Sequence, residues 1–339
     1  MTILYIGNHL SSNSNGGYPS VAESLAPHLL PEVQLHLVSR QRNRLRRLAE
    51  MLWAVWKYGR QEQPVVIDVY STLNFYYALL CGMLCRLKNI PYLCILHGGN
   101  LPSRLLHNPR LCRYLFGHAH KLIAPSGYLQ ASFRDAGYET EVIPNFIPIT
   151  NYPFKKRRQL QARLLWVRAF DETYHPQMAI RVLHQLSKQF PDANLCMVGP
   201  DKDGSMENCQ RLANELEISD KITFTGRLSK AEWISLSSDY DLFISTTNFD
   251  NMPVSVIEAM ALGLPVVSTN VGGVPYLIEH EKTGLLVPPN DVEEMVRAIT
   301  KLINNNAIAE SLSQAARQKA EQYDWEVIRP RWIELLERI

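Results

Sequence analysis

Short apolar runs alternate with amphipathic stretches along the whole chain, and this alternation predicts repeated strand–helix units. In the first half the predicted strands are TILYI, VQLHLV, VVIDV, YLCIL and KLIA. In the second half they are LLWV, NLCMVG, KITFTG, DLFIST, PVVST and GLLV. Because strands joined through helices cross over with one hand, each half should form an open parallel sheet with helices on both faces. The predicted fold class is α/β, with two doubly wound, Rossmann-like domains facing across a cleft.

A basic segment with few apolar residues, 151–161, separates the two series. We therefore predict a first domain at 1–150, a linker at 151–161, a second domain at 162–322 and a terminal helix at 323–339 that packs back on the first domain. The length of 339 residues supports this division, since single cores stop growing at about 250–300 residues. The cleft between the two domains is the expected ligand site.

Composition narrows the class of protein. Hydrophobic residues make up 46% of the chain, charged residues 20%, and the formal net charge is +2. These values are typical of a globular protein and exclude a disordered one. No run approaches about 20 uninterrupted apolar residues, and Met1 leads directly into a strand, so neither a transmembrane helix nor a signal peptide is predicted. The six cysteines form no Cys-x-x-Cys pair, and we expect reduced, mostly core residues.

The stretch NFDNMPVSVIEAMALGLPVVSTNVGG, residues 248–273, predicts a loop and a helix between two buried strands. Its loop follows a strand at the carboxyl edge of the sheet, where the N–H groups of a helix start attract anions. Ser255 and Glu258 also fit a Ser-x-x-Glu capping box, and Asp250 fits ordinary turn chemistry. The residues alone leave both interpretations open.

The same stretch resembles the donor-site signature of the retaining glycosyltransferases of family 4. In that family two glutamates eight positions apart precede a phrase like EAMA-x-G-x-PVV and then a GG pair. Glu258 stands at the second position, whereas Asp250, one methylene shorter, stands at the first. The resemblance implies that Asp250 contacts the transferred sugar and Glu258 the ribose of the nucleotide. It assigns donor binding to Asp250, Asn251, Met252, Pro253, Val254, Ser255 and Glu258.

Two features of the first half become candidates through this resemblance. A Gly-Gly turn such as Gly16-Gly17 is ordinarily a plain loop, but the family places a GG loop against the donor diphosphate and the acceptor. His97 follows the strand YLCIL, where a histidine is more often a hydrogen-bonded structural residue. The family carries a histidine there that contacts the sugar near the reacting carbon, so the resemblance makes His97 a catalytic candidate, as a substrate-positioning group or as a donor to the developing charge.

Arg168 follows the first strand of the second half, and its fork of donors matches diphosphate oxygens. A surface arginine is the plain alternative. The family has an arginine here and a lysine about six positions on, where this chain has Tyr174. Either His175, a residue of the GG loop or the helix start at Val254 and Ser255 compensates, or the donor is held more weakly. By resemblance, the nucleotide base meets the main chain at Gly226, Arg227 and Leu228.

The basic stretch at residues 39–61 has apolar residues at helical spacing and arginines crowded at its ends. One interpretation is a core helix with a solvated basic outer face. The other is a peripheral contact with an anionic membrane, since cationic and tryptophan side chains favour that interface. We rank nucleic acid last, because no nucleic-acid module accompanies the stretch. The residues of the predicted membrane contact are Arg44, Arg46, Arg47, Trp53 and Trp56.

The predicted function is the retaining, metal-independent transfer of a sugar from a UDP- or GDP-sugar to a saccharide or lipid-linked saccharide acceptor, in surface polysaccharide or lipid-linked glycan biosynthesis. No cofactor and no nucleic acid are expected. The expected location is cytoplasmic or peripheral on the inner face of the cell membrane. One alternative is a catalytically weak nucleotide-sugar-binding scaffold, which Asp250 and the missing lysine favour. Another is a nucleotide-sugar epimerase, against which the EAMA phrase argues.

Overall fold

The computed structural model describes residues 2–9, 20–29 and 32–337. The chain divides into two compact units, with boundaries after Asn145 and after Trp325. The first unit therefore combines the N-terminal part of the chain with the residues from Glu326 onward, and the second unit is Phe146–Trp325. The segment 151–161, predicted as a linker, lies inside the second unit.

The described part of the first unit is built on a parallel six-stranded sheet. Its elements are β1 (Thr2–Ile6), α1 (Val21–Leu29), β2 (Gln34–Val38), α2 (Arg44–Tyr58), β3 (Val65–Val69), α3 (Phe75–Leu87), β4 (Tyr92–Leu96), α4 (Leu101–His107), α5 (Pro109–Phe116), β5 (Lys121–Ala124), α6 (Gly127–Asp135) and β6 (Glu141–Val142). The strand order is β2-β1-β3-β4-β5-β6, with Tyr5 in register with Val66. The order reverses between β1 and β3, and in open α/β sheets ligands bind outside such a switch point.

The second unit also contains a parallel six-stranded sheet. Its elements are β7 (Arg163–Val167), α7 (Pro176–Leu186), β8 (Asn194–Val198), α8 (Ser205–Glu215), β9 (Ile222–Gly226), α9 (Lys230–Leu236), β10 (Leu242–Ser245), α10 (Val254–Ala261), β11 (Val266–Thr269), α11 (Val274–Leu277), β12 (Leu285–Val287), α12 (Val292–Asn304) and α13 (Asn306–Glu321). The strand order is β12-β11-β10-β7-β8-β9, which reverses between β7 and β10. The two sheets confirm the predicted doubly wound α/β class.

Alternation along β7 shows how the second unit builds its core. Leu164 and Trp166 belong to one buried apolar cluster, and Leu165 and Val167 belong to another. Because successive side chains of a strand point to opposite faces, the two clusters lie on opposite faces of the sheet. Residues of α7 and α12 complete the first cluster, and residues of α10 and α13 complete the second.

The last helix, α14 (Trp325–Glu337), enters the first unit after its first residue. Arg329 forms an ion pair with Glu32, and Arg331 donates a hydrogen bond to the carbonyl of Val142. Both partners belong to the first unit. These contacts hold the described end of the chain against the part of the protein where the chain begins.

The side chain of Arg157 explains why the segment 151–161 packs against the second unit and is not a linker. This side chain is 8% exposed. The guanidinium donates to the carbonyls of Lys155, Ser237, Tyr240 and Leu262 at 2.8–3.1 Å. Burial lowers the pKa of Arg157 to about 10. The basic character of the segment suggested a linker, but its Arg157 side chain binds the segment to the second unit.

All six cysteines are free and buried, which confirms the prediction of reduced core residues. Burial raises the pKa of the Cys85 thiol to about 12 and that of Cys112 to about 11. Within the described ranges, no helix combines the length and the apolar character that crossing a bilayer requires.

Candidate functional site

Arg168 and Asp250 meet at the carboxyl edge of the second sheet. Arg168 directly follows β7, and Asp250 lies in the loop that follows β10. Since these two strands are neighbours at the switch point, their following loops converge. The two side chains form an ion pair, and the Arg168 guanidinium also lies 4.4 Å from the centre of the Tyr174 ring. The predicted sugar-contacting carboxylate and the predicted diphosphate-binding cation are thus bound to each other.

The GG pair after β11 shapes the loop that carries Asp250. The N–H of Gly273 donates to the carbonyl of Asp250 at 2.9 Å. A Cβ on Gly273 would lie 1.6 Å from the carbonyl oxygen of Asn251. Gly272 has a φ of +52°, and its Cβ would lie 2.2 Å from the Asp250 carbonyl. Only glycines allow the two loops to approach so closely.

Glu258 lies in α10 and is 2% exposed. Its Oε1 accepts a hydrogen bond from the Tyr152 hydroxyl at 2.7 Å and forms an ion pair with Lys230. The helix begins after Pro253 without a side-chain cap. The capping box between Ser255 and Glu258 therefore does not form, because the carboxylate points to Tyr152 and Lys230 instead.

Charge and burial act together around Glu258. Burial, followed by the charge of Glu258, raises the pKa of Tyr152, so its hydroxyl stays protonated and donates. Burial lowers the pKa of Arg168, and electrostatic interactions with Tyr174 and Glu258 oppose that shift. Arg168 is therefore under the electrostatic influence of Glu258 as well as paired with Asp250.

The second cation of the predicted diphosphate clamp is absent at Tyr174, whose ring stacks against Arg168. His175, one candidate to compensate, is half-buried, and burial followed by Arg181 lowers its pKa. That shift favours the neutral imidazole. Lys230 supplies a positive charge beside Glu258 instead.

Lys230 is a residue that sequence reasoning missed. It is the first residue of α9, and Ser229 and Glu232 form a capping box that fixes the start of this helix. The Ser-x-x-Glu spacing directly after the predicted base-contacting segment was the signal that could have located it.

The remaining predicted donor-binding residues of the second unit lie along the same edge. Gly226 ends β9 with a φ of +67°, so the chain turns there. Arg227 is half-exposed, and Leu228 packs against the buried cluster of α10. In the loop and helix start, the buried residues are Asn251, Met252 and Pro253, and the half-buried ones are Val254 and Ser255.

In the first unit, His97 directly follows β4 and contacts a residue that was not predicted. Its Nε2 lies 2.7 Å from Oδ1 of Asp68, near the end of β3. The His97 ring also stacks on Tyr70, with centroids 5.3 Å apart. A lone aspartate in the apolar run VVIDV was the signal for this buried carboxylate. Gly16 and Gly17 lie outside the described residues.

The residues of the predicted membrane contact differ in their exposure to solvent. Trp53 and Trp56 are exposed, by 49% and 63%, and Arg44 and Arg46 are also exposed. The prediction for Arg47 is wrong, because its side chain is buried.

The hydrogen bonds of Arg47 explain its burial. Its guanidinium donates to the carbonyls of Gln41 and Arg42 at 2.7 and 3.1 Å and to the side chain of Asn8 at 3.2 Å. Arg47 therefore joins the first turn of α2 to the loop after β1, and its charge is not presented to solvent.

Within the described residues, no group of three or more His, Cys, Asp or Glu side chains is arranged to hold a metal ion. The carboxylates of Asp201 and Asp203 accept hydrogen bonds from the main chain of Gly204, Ser205 and Glu172. They close the turn before α8.

Comparison with known proteins agrees with this architecture. A family model described as "Glycosyl transferases group 1" matches residues 149–319, about half of the chain. A second, described as "Glycosyltransferase Family 4", matches residues 15–151. An uncharacterized glycosyltransferase of Haemophilus influenzae is 37% identical over 154 residues, which are 45% of this chain and 42% of that protein. The matches to the first curated relatives span less than half of those relatives' lengths.

Solved structures resemble the whole chain. The sucrose-phosphate synthase of Thermosynechococcus elongatus superposes with a TM-score of 0.82 at 19% identity, covering 99% of this chain and 98% of that one. HepE of Anabaena in complex with UDP-glucose superposes with a TM-score of 0.76 at 19% identity and covers both chains completely. At this identity the likeness establishes the fold.

Proposed function

Because this chain belongs to the glycosyl transferases group 1, we propose that it transfers a sugar from a nucleoside-diphosphate sugar to a hydroxyl acceptor. The observation that carries the proposal is the ion pair of Arg168 with Asp250 at the carboxyl edge of the second sheet, where the charge of Glu258 also acts on Arg168. These are the residues whose charged side chains the family resemblance assigns to donor binding. The donor is a UDP- or GDP-sugar, and HepE, with the same fold, binds UDP-glucose.

The leaving diphosphate is the group that most needs stabilisation. Arg168 and the N–H groups that open α10 offer donors at the same edge of the sheet, and the first N–H groups of a helix have no partner within it. Asp250 holds the Arg168 guanidinium before the donor binds. A diphosphate that approaches Arg168 therefore competes with this carboxylate, while Asp250 becomes available to a sugar hydroxyl.

We propose that the transfer retains the anomeric configuration and proceeds without a metal ion. The bond from the anomeric carbon to the leaving phosphate oxygen breaks while the acceptor oxygen attacks on the same face. The acceptor proton passes to the departing phosphate, so no protein base is required and positioning dominates. Arg168, with Lys230 nearby on Glu258, supplies the positive charge for the diphosphate.

A catalytically weak nucleotide-sugar-binding scaffold is the second candidate. The Arg168–Asp250 pair and the tyrosine at position 174 favour it, since both reduce the positive charge available to a diphosphate. Slow hydrolysis of the bound donor distinguishes the candidates, because a transferase leaks hydrolysis whereas a scaffold binds without turnover.

A thermal-shift screen against UDP- and GDP-sugars tests donor binding. A ligand at 100 times its Kd stabilises the folded state by about 2.7 kcal/mol. We expect stabilisation by one nucleotide sugar in the wild type, and its loss in Arg168→Gln and in Glu258→Gln. Arg163→Gln, at the start of β7, is the matched control and should respond like the wild type. The absence of any stabilisation of the wild type would contradict the proposal.

The outer side of α2 supports a further part of the proposal, contact with an anionic membrane that carries a lipid-linked acceptor. Leu45, Trp53 and Trp56 are exposed, and their spacing of eight and three places them on one side of the helix. Exposed Arg44, Arg46 and Lys57 flank them. Tryptophans at an interface and cations near acidic lipids both favour such binding.

Liposome co-sedimentation tests this surface. We expect the wild type to sediment with phosphatidylglycerol vesicles, and Arg44→Glu/Arg46→Glu to stay in the supernatant. The matched control, Lys121→Glu/Arg134→Glu, reverses two exposed charges elsewhere on the first unit and should sediment like the wild type. Equal sedimentation of both double variants would refute a membrane role for α2.

A further inference from the structure

Asp68 is a buried carboxylate at the switch point of the first sheet. It lies near the carboxyl end of β3 and is 5% exposed. The strand beside it is β1, which lies next to β3 where the strand order reverses. Burying a carboxylate costs free energy unless it is hydrogen-bonded or paired with a cation. The hydrogen-bond partners of Asp68 therefore indicate its role.

One oxygen of Asp68 receives two hydrogen bonds. The hydroxyl of Tyr5 donates to Oδ1 at 2.7 Å, and Nε2 of His97 lies 2.7 Å from the same atom. Burial, followed by the charge of Asp68, raises the pKa of Tyr5, so the tyrosine remains a donor. An ionised carboxylate only accepts hydrogen bonds. The proton between the imidazole and Asp68 therefore belongs to Nε2.

The position of this proton fixes the chemistry of the other ring nitrogen. In a neutral imidazole one nitrogen donates and the other accepts. With Nε2 protonated, Nδ1 is the acceptor of the neutral His97 ring. The stacked ring of Tyr70, inclined by 27° to the imidazole, restrains the plane in which Nδ1 lies.

The second oxygen of Asp68 accepts no hydrogen bond from the described residues. Within the described part of the chain, Oδ2 is buried without a hydrogen-bond partner, and so is Nε2 of His9. A Cβ at Gly7 would lie 2.4 Å from Oδ2 and 2.9 Å from Cε1 of His9. Carboxylates kept only for packing are ordinarily satisfied at both oxygens. Only the oxygen shared by Tyr5 and His97 accepts hydrogen bonds, and of these two partners His97 is the one whose tautomer a carboxylate can fix.

We propose that Asp68 is a positioning residue that holds His97 in the Nε2–H tautomer, so that Nδ1 accepts a hydrogen bond from a hydroxyl of the substrate sugar. The identity of the substrate rests on the proposed function. The assignment of the tautomer does not, because it follows from the contacts of Asp68 alone.

Nitrogen NMR of protein labelled with ¹⁵N-histidine tests the tautomer without substrate. We expect His97 of the wild type, identified by its loss in His97→Gln, to show a protonated Nε2 and an unprotonated Nδ1 at neutral pH. In Asp68→Asn, where the amide has no charge to favour that proton, a mixture of tautomers should appear. Tyr5→Phe is the matched control, since it removes a hydrogen bond to the same oxygen, and it should retain the wild-type tautomer.

Kinetics of the same variants test the consequence. We expect kcat of Asp68→Asn to fall about 10- to 100-fold, the range for a hydrogen bond to a charged group. KM for the donor should change by less than about threefold, since the change removes no donor-binding group. A protonated Nδ1 in the wild type, an unchanged tautomer in Asp68→Asn, or an equal loss of kcat in Tyr5→Phe would overturn the proposal. If the wild type turns over no nucleotide sugar, the proposed function fails, while the NMR result still decides the role of Asp68.

Discussion

The guanidinium of Arg168 forms an ion pair with the carboxylate of Asp250, and the two residues follow neighbouring strands of one sheet. Both side chains are largely shielded from solvent, which strengthens their attraction. In a donor site the diphosphate would compete with the Asp250 carboxylate for Arg168, because the arginine is assigned to the diphosphate and the aspartate to the sugar. The affinity for a nucleoside diphosphate should therefore depend on both residues, in opposite directions.

We predict that Asp250→Asn tightens the binding of UDP or GDP alone, because it frees Arg168 from its partner. Arg168→Gln should weaken that binding. Changes of about 10- to 100-fold in Kd are expected, the range for a hydrogen bond to a charged group. Isothermal titration calorimetry with the nucleoside diphosphate measures both.

The control for this pair lies at the other end of the same strands. Arg163 forms an ion pair with Asp241 at 2.8 Å. Arg163→Gln should leave the nucleotide Kd within about twofold of the wild type, since the loops after β7 and β10 are unchanged. Weaker binding in Asp250→Asn would contradict the competition.

We predict that Lys230→Met destabilises the protein. Glu258 is 2% exposed and loses its paired cation, but Lys230 is half-exposed, so solvent reduces the cost. A loss of about 1–3 kcal/mol is expected. Chemical denaturation of the purified variant measures it.

Two further variants test whether the effect arises at Glu258. Lys282→Met breaks the exposed Lys282–Glu279 pair and should cost less than about 0.5 kcal/mol. Glu258→Gln combined with Lys230→Met should recover part of the stability, since a neutral amide needs no counterion. A double variant as unstable as the sum of the single changes would show that Lys230 acts elsewhere.

We predict that Arg157→Met destabilises the second unit by about 3 kcal/mol, because a buried cation with four carbonyl acceptors is removed and those acceptors lose their donor. The neighbouring Arg158 is exposed, and Arg158→Met should change stability by less than about 0.5 kcal/mol. Thermal unfolding followed by tryptophan fluorescence measures both. Similar losses would show that the segment 151–161 is held by something other than Arg157.

The sequence predicted the strands of the fold better than it predicted the contacts of individual charged side chains. Strands such as β7 and β10 were recognisable because buried parallel strands are short continuous apolar runs. Arg157 was misleading because a charge count does not show which carbonyls a cation will meet. The same reason applies to Arg47, which sequence placed on a membrane surface and which the fold buries. The roles of Asp68 and Lys230 depend on contacts with His97 and Glu258, which are 29 and 28 positions away in the sequence. Only the fold shows these contacts.

We predict that His9 makes stability dependent on pH. The side chain is fully buried, and burial lowers its pKa from the ordinary 6.5, against the opposing charges of Asp68 and Glu23. Below pH 6.5 the unfolded chain takes up a proton that the folded chain resists. The free energy of unfolding should therefore fall as pH decreases from 6.5 toward the lowered pKa.

Urea denaturation at pH 7.0 and 5.5 measures this dependence. His9→Asn should reduce the loss of stability between the two pH values. His118→Asn, at an exposed position, should show the wild-type loss. An identical loss in wild type and His9→Asn would mean that His9 is not the titrating group.

The most direct test of the account is proton NMR of the purified protein with each UDP- and GDP-sugar, with and without a saccharide acceptor. We predict release of nucleoside diphosphate from one donor, formation of a glycoside with the anomeric configuration of that donor, and loss of both products in Arg168→Gln. Nucleotide sugars that bind the wild type but remain intact, with and without acceptors, would contradict a transferase and favour the scaffold. Products with inverted configuration would contradict the proposed mechanism while leaving the transfer itself in place.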